Sequence, residues 1–294
     1  MNAFLLKSGC RVDDELKISI AVPSYNYACF LEEALASIKR QYYANYEVLI
    51  ADGGSVDGSL EIIERFCGED ERFRLISKKD AGQADAISKA FQFASGDILC
   101  FLNADDCYLD DDVFGLVVNA FKLNRSTEII SFGGAYIDID GNWMKRINYR
   151  YHPLDSFDLM PYRTAVIQPA TFWKRHVYDE NVWPKEFNYV FDVVFFYNAF
   201  LKHSWLEVSN IVAGYRLHDN NKSLTVRSSR VFELAAFERI KFGEKSFRAQ
   251  YLFKIARILQ RHGKRKLGGL ELSKAIYFIV NTVAYISVYR LPSI

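Results

Sequence analysis

The feature of this sequence that most limits its fold is a regular alternation of β-rich runs with helical patterns between Lys17 and about Asp140. The strand-like runs are KISIAVPS, YEVLIAD, FRLIS, DILCFL and IISFGGAYID, and the segments between them, such as QADAISKAFQFA, repeat apolar residues at helical spacing. This alternation with short connections predicts an α/β fold with a Rossmann-like, mainly parallel sheet flanked by helices. In that architecture ligands bind beyond the carboxyl ends of the strands.

Three of the first four predicted strands lead to an aspartate at that rim. Asp52 ends the second strand and is followed by Gly53 and Gly54, which let the backbone turn tightly and let a ligand approach it. The Asp52 carboxylate can accept hydrogen bonds from a base or a ribose. An ordinary turn aspartate fits the pattern equally well, and the glycine spacing is not the dinucleotide fingerprint GxGxxG.

The fourth predicted strand stops at Asn103-Ala104-Asp105-Asp106. Three short oxygen-bearing side chains suit a hard divalent cation such as Mg²⁺ or Mn²⁺. Mg²⁺ usually takes one or two protein carboxylates and leaves its other positions to water and phosphate oxygens, so the cluster predicts a cation that carries a diphosphate. The alternative is a solvated turn or a helix N-cap, an interpretation that fits Asp110 to Asp112 better.

Five motifs together resemble the family 2 glycosyltransferases with the GT-A fold, of bacterial type. They are ISIAVPSYN, VLIADGGSVDGS, DAGQADAISKAF, GDILCFLNADD and QPATFWKR, and the resemblance extends over roughly residues 17–225. Each motif alone is weak, whereas the five in this order are specific. The resemblance implies an inverting, metal-dependent transfer of a hexosyl or N-acetylhexosaminyl group from a nucleotide-diphosphate sugar, most often UDP-linked.

The resemblance also implies donor-binding and metal-binding residues. The donor residues are Pro23, Tyr25 and Asn26 beside the base and ribose, Asp52 at the base, Asp80 with Gly82 and Gln83 near the nucleoside, and Asn103 with Ala104, which falls, like Asp105, beside the ribose and metal. The metal ligands are Asp105, as the leading candidate, with Asp106 and His218. Asn103 stands where the first acid of the commonest DxD pattern is found, so we expect the Mn²⁺ or Mg²⁺ ion to be bound mainly through Asp105.

Asp192 is the candidate catalytic base. It stands among apolar neighbours in EFNYVFDVVFFYNAF, and desolvation there would raise its pKa towards the range that proton transfer requires. A helix N-cap aspartate is the alternative. Candidate contacts to the acceptor or to phosphate are Gln168, Thr171, Trp173 and Arg216.

Charge and composition limit the partners. A net charge of +1 argues against a general nucleic-acid binder, although residues 241–266 carry nine basic side chains against one acid. The apolar run from Ala275 to Tyr289 is shorter than the ~20 residues that span a bilayer, so residues 241–294 either contact a membrane surface or pack on the domain. We therefore hypothesise a saccharide acceptor, linked to polyprenyl diphosphate and used for surface polysaccharide.

Two further patterns concern location and domains. Five cysteines without a CxxC pair and an N-terminus without a secretory pattern predict a cytoplasmic protein, peripheral on the inner face of the cytoplasmic membrane. The predicted domains are an extension over residues 1–16, a GT-A domain over 17–225 with nucleotide-binding (about 17–125) and acceptor (about 126–225) halves, and a basic, helical C-terminal tail over 226–294.

Two alternatives to a glycosyltransferase stay open. A nucleotidyltransferase would use a similar sheet and metal, but it usually has a glycine-rich phosphate loop after the first strand, and PSYNYACF contains no glycine. A non-catalytic relative that binds nucleotide sugars would explain Asn103 as a degenerate metal ligand, whereas the presence of both Asp105 and Asp192 argues against it.

Overall fold

The computed structural model describes residues 16–77, 79–147, 166–219, 221, 227–243, 250, 252, 254–257, 266–267 and 270–271. The strands are β1 (Ile18–Ser24), β2 (Tyr46–Asp52), β3 (Phe73–Ser77), β4 (Ile98–Phe101), β5 (Cys107–Tyr108), β6 (Ile129–Ile137), β7 (Trp143–Arg146), β8 (Thr171–Lys174), β9 (Trp205–Arg216), β10 (Lys266–Leu267) and β11 (Leu270–Glu271). The α-helices are α1 (Ala28–Lys39), α2 (Ser59–Glu69), α3 (Gln83–Phe91), α4 (Val113–Leu123), α5 (Arg175–Asp179), α6 (Phe191–Lys202) and α7 (Arg227–Phe242).

The first half of the sheet is parallel, as the alternating sequence predicts. Its strands run in the order β3-β2-β1-β4, and β1 pairs in parallel with both β2 and β4. Every residue of β1, β2 and β4 is buried. Such strands read as continuous apolar runs because helices cover both faces of a parallel sheet, and α3 packs against β1 and β2. The carboxyl ends of β1, β2 and β4 thus lie at one edge.

The second half of the sheet is mixed. β8 enters antiparallel between β4 and β6, β9 runs parallel to β6, and β5 pairs antiparallel with the end of β9. These pairings join residues far apart in sequence; Leu99, for example, pairs with Trp173. The consequence for the site is that the end of β9 lies beside the segment that follows β4.

The described residues form two compact units. The first contains residues 16–147, 166–188 and 198–218, and the second contains residues 189–197 and the described residues from 219 onward. Helix α7 lies within the predicted C-terminal tail, and the short β10–β11 hairpin was not predicted. The apolar run from Ala275 to Tyr289 and residues 1–15 lie outside the described residues. In the described parts of the chain, no helix is both long enough and apolar enough to cross a bilayer.

Candidate functional site

The loop after β4 holds the predicted metal-binding residues at the carboxyl edge of the parallel strands. The Leu102 N–H donates to the Ala21 carbonyl (3.0 Å), which prolongs the pairing of β4 with β1, and the Asp106 N–H closes a turn on the Asn103 carbonyl (3.1 Å). Ala104, inside this turn, is buried. The chain therefore leaves the sheet abruptly, at the edge where α/β proteins bind ligands.

Asp105 and His218 form a close pair beside this turn. Asp105 Oδ2 lies 3.1 Å from His218 Nε2, and the His218 side chain is 4% exposed against 14% for Asp105. The ring centroids of Phe30 and Tyr27 lie 4.7 and 6.1 Å from that of His218. A carboxylate beside an imidazole is a donor set that suits Mn²⁺ or another divalent transition ion. Two of the three predicted metal ligands thus lie close enough together to bind one ion.

Arg216 fixes the backbone of the Asp105 turn. This arginine is 1% exposed, and its Nε donates to the Asp105 carbonyl (2.9 Å). The remaining guanidinium nitrogens donate to the carbonyls of Asp138 (3.2 Å) and Ile139 (2.9 Å) and to Glu33 Oε2 (2.5 Å). This geometry favours a positioning role, and a direct contact of Arg216 with phosphate stays a prediction.

Asp106 is buried beneath the Asp105–His218 pair. Its carboxylate accepts hydrogen bonds from the Arg216 backbone N–H (3.1 Å) and from Asn103 Nδ2 (3.2 Å). Burial, followed by the neighbouring charge of Asp105, raises the pKa of Asp106 well above its ordinary value. These contacts favour a role for Asp106 in holding the turn, while its predicted bond to the metal stays a prediction.

An amide network connects the turn to two other parts of the first unit. Gln83 Nε2 donates to Asn103 Oδ1 (2.6 Å), and Asn103 Nδ2 donates to Gln168 Oε1 (3.1 Å). Gln168, in a 3₁₀ turn before β8, donates in turn to the Phe101 carbonyl (2.5 Å). The network therefore joins Gln83 of α3 and Gln168 to the turn from Asn103 to Asp106, and the Asn103 side-chain oxygen already accepts a hydrogen bond from Gln83.

The loops after β1 and β2 are tied together. Asp52 is buried, and its carboxylate accepts hydrogen bonds from the Gly54 and Ser55 N–H groups (3.0 and 2.8 Å) and from Ser55 Oγ (2.5 Å). Asn26, with φ 55°, donates its N–H to Ser55 Oγ (2.8 Å) and accepts from the Val56 N–H (2.9 Å). Asp52 thus has the contacts of a turn aspartate, and its predicted contact with a base stays a prediction.

The residues predicted to surround the base lie close to one another. Pro23 is buried within β1, in register with Ala51, whereas the Tyr25 side chain is 58% exposed. A Cβ placed on Gly53 would lie 3.0 Å from the Tyr25 ring and 3.2 Å from Asp80 Oδ2. Tyr25, Gly53 and Asp80 therefore form one small patch with an accessible aromatic face.

Asp80 shapes the N-terminus of α3. Its Oδ1 accepts the Gly82 N–H (2.8 Å), and burial raises the pKa of Asp80 despite this hydrogen bond. Gly82 has φ +120°, and a Cβ at that position would lie 2.7 Å from Asn188 Oδ1. Both the backbone conformation and the close approach require glycine, so Gly82 determines how Gln83 enters the site.

Two of the predicted acceptor residues lie in the core. Thr171 is fully buried, and its hydroxyl bonds to the Ile167 carbonyl (2.9 Å) and to Ser131 Oγ (2.8 Å). Trp173 is also fully buried and packs edge-on against Phe91 and Phe101. These positions favour packing roles in β8, and a contact of either residue with an acceptor stays a prediction.

Asp192 belongs to the second compact unit. It is the second residue of α6, is partly buried, and its Oδ1 lies 2.8 Å from the Val193 N–H. The predicted helix start is confirmed, while the assignment of Asp192 as catalytic base stays a prediction.

Sequence reasoning missed three residues that surround the Asp105–His218 pair. Tyr27 and Phe30 contact the His218 ring, and Glu33 anchors Arg216. Burial, with further contributions from Asp105 and Asp106, raises the pKa of Tyr27. All three are in or just before α1, which follows the predicted residues Tyr25 and Asn26. Their closeness in sequence to those two residues is the feature that could have identified them.

A family model described as glycosyl transferase family 2 matches residues 19–183. A glycosyltransferase of Haemophilus influenzae, itself uncharacterized, is 33% identical over 131 residues, which cover 44% of this chain and 52% of that protein. The chain thus aligns with about half the length of this relative.

Solved structures share the fold at low sequence identity. The S. aureus TarS fragment 1–349 in complex with UDP-GlcNAc superposes with a TM-score of 0.62 at 15% identity, covering 93% of this chain and 81% of the fragment. The mannosyltransferase PcManGT from Pyrobaculum calidifontis, in complex with GDP-Man and Mn²⁺, superposes with a TM-score of 0.59 at 16% identity, covering 96% and 78%. These similarities confirm the predicted GT-A fold.

Proposed function

The chain belongs to glycosyl transferase family 2, and from this premise we propose that it transfers a sugar from UDP to a hydroxyl of a saccharide acceptor, with inversion at the anomeric carbon. The observation that carries the proposal is the Asp105–His218 pair, which stands at the carboxyl end of β4 and is connected through Asn103 to Gln83. A carboxylate and an imidazole at this edge provide ligands for a cation that holds a diphosphate.

The choice of UDP rests on the resemblance and on the UDP-GlcNAc that the S. aureus structure contains. GDP is the competing nucleotide, since the Pyrobaculum calidifontis structure contains GDP-Man. The accessible Tyr25 face, beside Gly53 and Asp80, is suited to stacking against a base. Transfer of a hexosyl or an N-acetylhexosaminyl group is consistent with these features.

The residues around the turn fit a divalent cation. Asp105 Oδ2 and His218 Nε2 are 3.1 Å apart and would hold it, while Arg216 keeps the Asp105 backbone in place. When bound there, Mn²⁺ or Mg²⁺ neutralises charge on the departing diphosphate. Asp106, buried at the same turn, accepts hydrogen bonds from the Arg216 N–H and from Asn103 Nδ2 and so helps to hold the turn.

In the proposed mechanism, Asp192 removes the proton from the acceptor hydroxyl. The hydroxyl oxygen then attacks the anomeric carbon on the face opposite the nucleotide, the bond to the diphosphate breaks in the same step, and the configuration inverts. A general base contributes about 10²–10⁴-fold to such a reaction.

For the acceptor we propose a saccharide linked to polyprenyl diphosphate and used in surface polysaccharide synthesis. The nine basic side chains of residues 241–266, followed by the apolar run from Ala275 to Tyr289, suit contact with an anionic leaflet from the cytoplasmic side.

The experiment that tests the donor proposal is calorimetric titration of the full chain with UDP, GDP, CDP and dTDP, with Mn²⁺ or Mg²⁺ and again with chelator. We expect UDP to bind with metal and to lose most of its affinity without it. Asp105→Ala should abolish the metal dependence, whereas Asp110→Ala, which removes an exposed carboxylate just beyond β5, should preserve it. Equal UDP affinity with metal and with chelator would refute the assignment of Asp105.

A further inference from the structure

Glu128, His176 and His203 form a cluster that the donor site does not use. Glu128 Oε1 lies 2.7 Å from His176 Nε2 and 3.1 Å from His203 Nδ1. One potential ligand atom from each of the three residues lies within 4.8 Å of the other two. The His203 side chain is 4% exposed, Glu128 is 26% exposed and His176 is 44% exposed.

Backbone hydrogen bonds hold the three contributing segments together. Glu128 precedes β6, and its N–H donates to the Ser204 carbonyl (3.0 Å) while its carbonyl accepts the Lys174 N–H (2.9 Å). Glu128 Oε2 also accepts the Ser204 N–H (2.8 Å). His176 follows Lys174 by two residues, and His203 precedes Ser204. The cluster is therefore built on the ends of paired strands rather than on free loops, as a preorganised site requires.

The cluster lies near the amino-terminal end of β4, whereas the candidate donor site follows the carboxyl end of the same strand. Lys174, the last residue of β8, pairs with Ile98, the first residue of β4, whereas Asp105 follows the last residue of β4. An ion bound at Glu128 would thus contact neither Asp105 nor His218.

We propose that Glu128, His176 and His203 bind one divalent transition-metal ion of the Zn²⁺ type, through Glu128 Oε1, His176 Nε2 and His203 Nδ1. Tetrahedral zinc with ligands at about 2.0–2.1 Å separates its ligand atoms by roughly 3.3 Å. The observed 2.7 and 3.1 Å would have to widen by about 0.6 and 0.2 Å, and the two ring nitrogens, which lie within 4.8 Å of each other, would have to reach the same separation. Two imidazoles with one carboxylate are typical Zn²⁺ ligands, and they leave a fourth position for water.

Solvent can reach the cluster through His176. This residue lines an open surface cleft together with Asp97, Lys174 and Asp179. A metal site needs such an entry path as well as correct ligands. The buried His203 and the partly buried Glu128 then form the inner wall of the site.

Metal binding also requires a change in the protons of both rings. Without a metal, Glu128 Oε1 accepts the hydrogen bonds of His176 Nε2 and His203 Nδ1. With a metal bound to these two nitrogens, each neutral ring carries its proton on its other nitrogen. For His203 that nitrogen is Nε2, which lies 3.8 Å from Glu180 Oε2. A carboxylate that accepts the second N–H of a ligating histidine is a common outer partner in zinc sites.

The Asn181 side chain adjoins the same ring. Asn181 Nδ2 lies 3.0 Å from His203 Nε2 and 2.7 Å from the Val177 carbonyl, and metal binding would break the first of these contacts. The buried Asn181 Oδ1 has no hydrogen-bond partner among the described residues. Rotation of this amide offers a second acceptor for the new Nε2 proton.

The test is calorimetric titration of Zn²⁺ into chelator-treated full-length protein that carries Asp105→Ala, so that the donor site does not contribute. We expect one equivalent to bind with a dissociation constant of about 10 µM or tighter, near −7 kcal/mol. Adding His176→Asn should weaken binding by more than about 100-fold, because a direct ligand matters at least as much as an outer partner. His262→Asn, which removes a histidine from another part of the sequence, should leave it unchanged.

Two additional measurements separate metal binding from catalytic activity and from misfolding of the variants. Co²⁺ should give the visible absorption of a tetrahedral site in the Asp105→Ala protein and lose it when His176→Asn or Glu128→Gln is added. Circular dichroism in chelator establishes that each variant is folded. Equal Zn²⁺ affinity with and without His176→Asn, or no Zn²⁺ binding by the folded Asp105→Ala protein, would overturn the assignment.

Discussion

At the residue scale, the structure separates the candidate ligand-binding side chains at the turn after β4 from the side chains that hold that turn in place. Asp105 and His218 meet at the edge of the sheet, whereas Asp106 and Arg216 are buried around them. The sequence could predict Asp105 because it lies only four residues after the end of the apolar strand β4, whereas His218 was a candidate only through the family resemblance. It could not show that the Arg216 guanidinium turns inward, because the carbonyls that bind it come from two distant segments of the chain.

Arg216→Met should destabilise the fold by about 2–4 kcal/mol, because the carbonyls of Asp105, Asp138 and Ile139 lose a buried donor. Urea unfolding followed by circular dichroism measures the change. Arg65→Met is the control, since Arg65 forms an exposed pair with Glu32, and exposed pairs of this kind contribute little to stability. Normal stability with a large loss of UDP affinity would instead indicate that Arg216 contacts phosphate directly.

Asp192→Asn should keep donor and metal affinity and lower turnover by about 10²–10⁴-fold, because the amide cannot accept the acceptor's proton. Calorimetry for the nucleotide and an assay of released UDP give the two quantities. Asp179→Asn changes an exposed carboxylate at the end of α5 and should leave turnover unaltered. Turnover of Asp192→Asn near the wild-type rate would mean that another group is the base.

At the element scale, local pattern and distant pairing explain different parts of the sheet. The strands β1 to β4 and the helices between them follow from hydrophobic pattern and turn residues in neighbouring stretches of sequence. The antiparallel entry of β8 between β4 and β6 depends on pairs such as Leu99 with Trp173, for which no local signal exists. The same reason hides the cluster of Glu128, His176 and His203, whose members are dispersed over 76 residues.

Gly82→Ala should destabilise the protein by about 1–3 kcal/mol, because φ +120° with ψ 173° is a region that essentially only glycine adopts, and the new Cβ would meet Asn188. Donor affinity should also fall, since Gln83 begins α3 at this point. Gly68→Ala in α2 is the control, because a Cβ there meets nothing within 4 Å. It should stabilise the helix by up to about 1 kcal/mol. Thermal unfolding of both variants measures whether stability falls in Gly82→Ala and rises in Gly68→Ala.

Glu47 on β2 should make stability depend on pH. Burial alone would raise the pKa of Glu47, but hydrogen bonds from Ser19 and Ser95 and the ammonium of Lys17 lower it below the ordinary 4.5. A lowered folded-state pKa stabilises the fold above about pH 4.5, and this stabilisation is lost as the pH falls below that value. The stability gap between wild type and Glu47→Gln should therefore narrow on acidification. Glu71→Gln, at an exposed position, should show a small gap at every pH; a constant gap for Glu47→Gln would contradict the prediction.

At the scale of the whole molecule, the charge is distributed unevenly along the chain. The net charge is +1, yet residues 241–266 have an excess of eight basic side chains, so the rest of the chain is acidic. Anionic headgroups would attract the basic segment and repel the remainder. This asymmetry would orient the protein on an anionic leaflet, and the proposed membrane contact would then be separable from the proposed donor site at Asp105.

Replacing Lys264, Arg265 and Lys266 by glutamine should weaken binding to anionic vesicles by roughly 100-fold, because each basic side chain near such a surface contributes about 1 kcal/mol. Sedimentation with vesicles that contain phosphatidylserine measures the affinity, and added salt should reduce it for wild type more than for the triple variant. The control removes the same charge elsewhere, by glutamine at the exposed residues Arg65, Arg125 and Lys202. If both triple variants lost equal affinity, net charge rather than the basic segment would govern binding, and residues 241–294 would have to be assigned to packing on the domain. UDP affinity should be the same in both variants, since neither changes the Asp105–His218 pair.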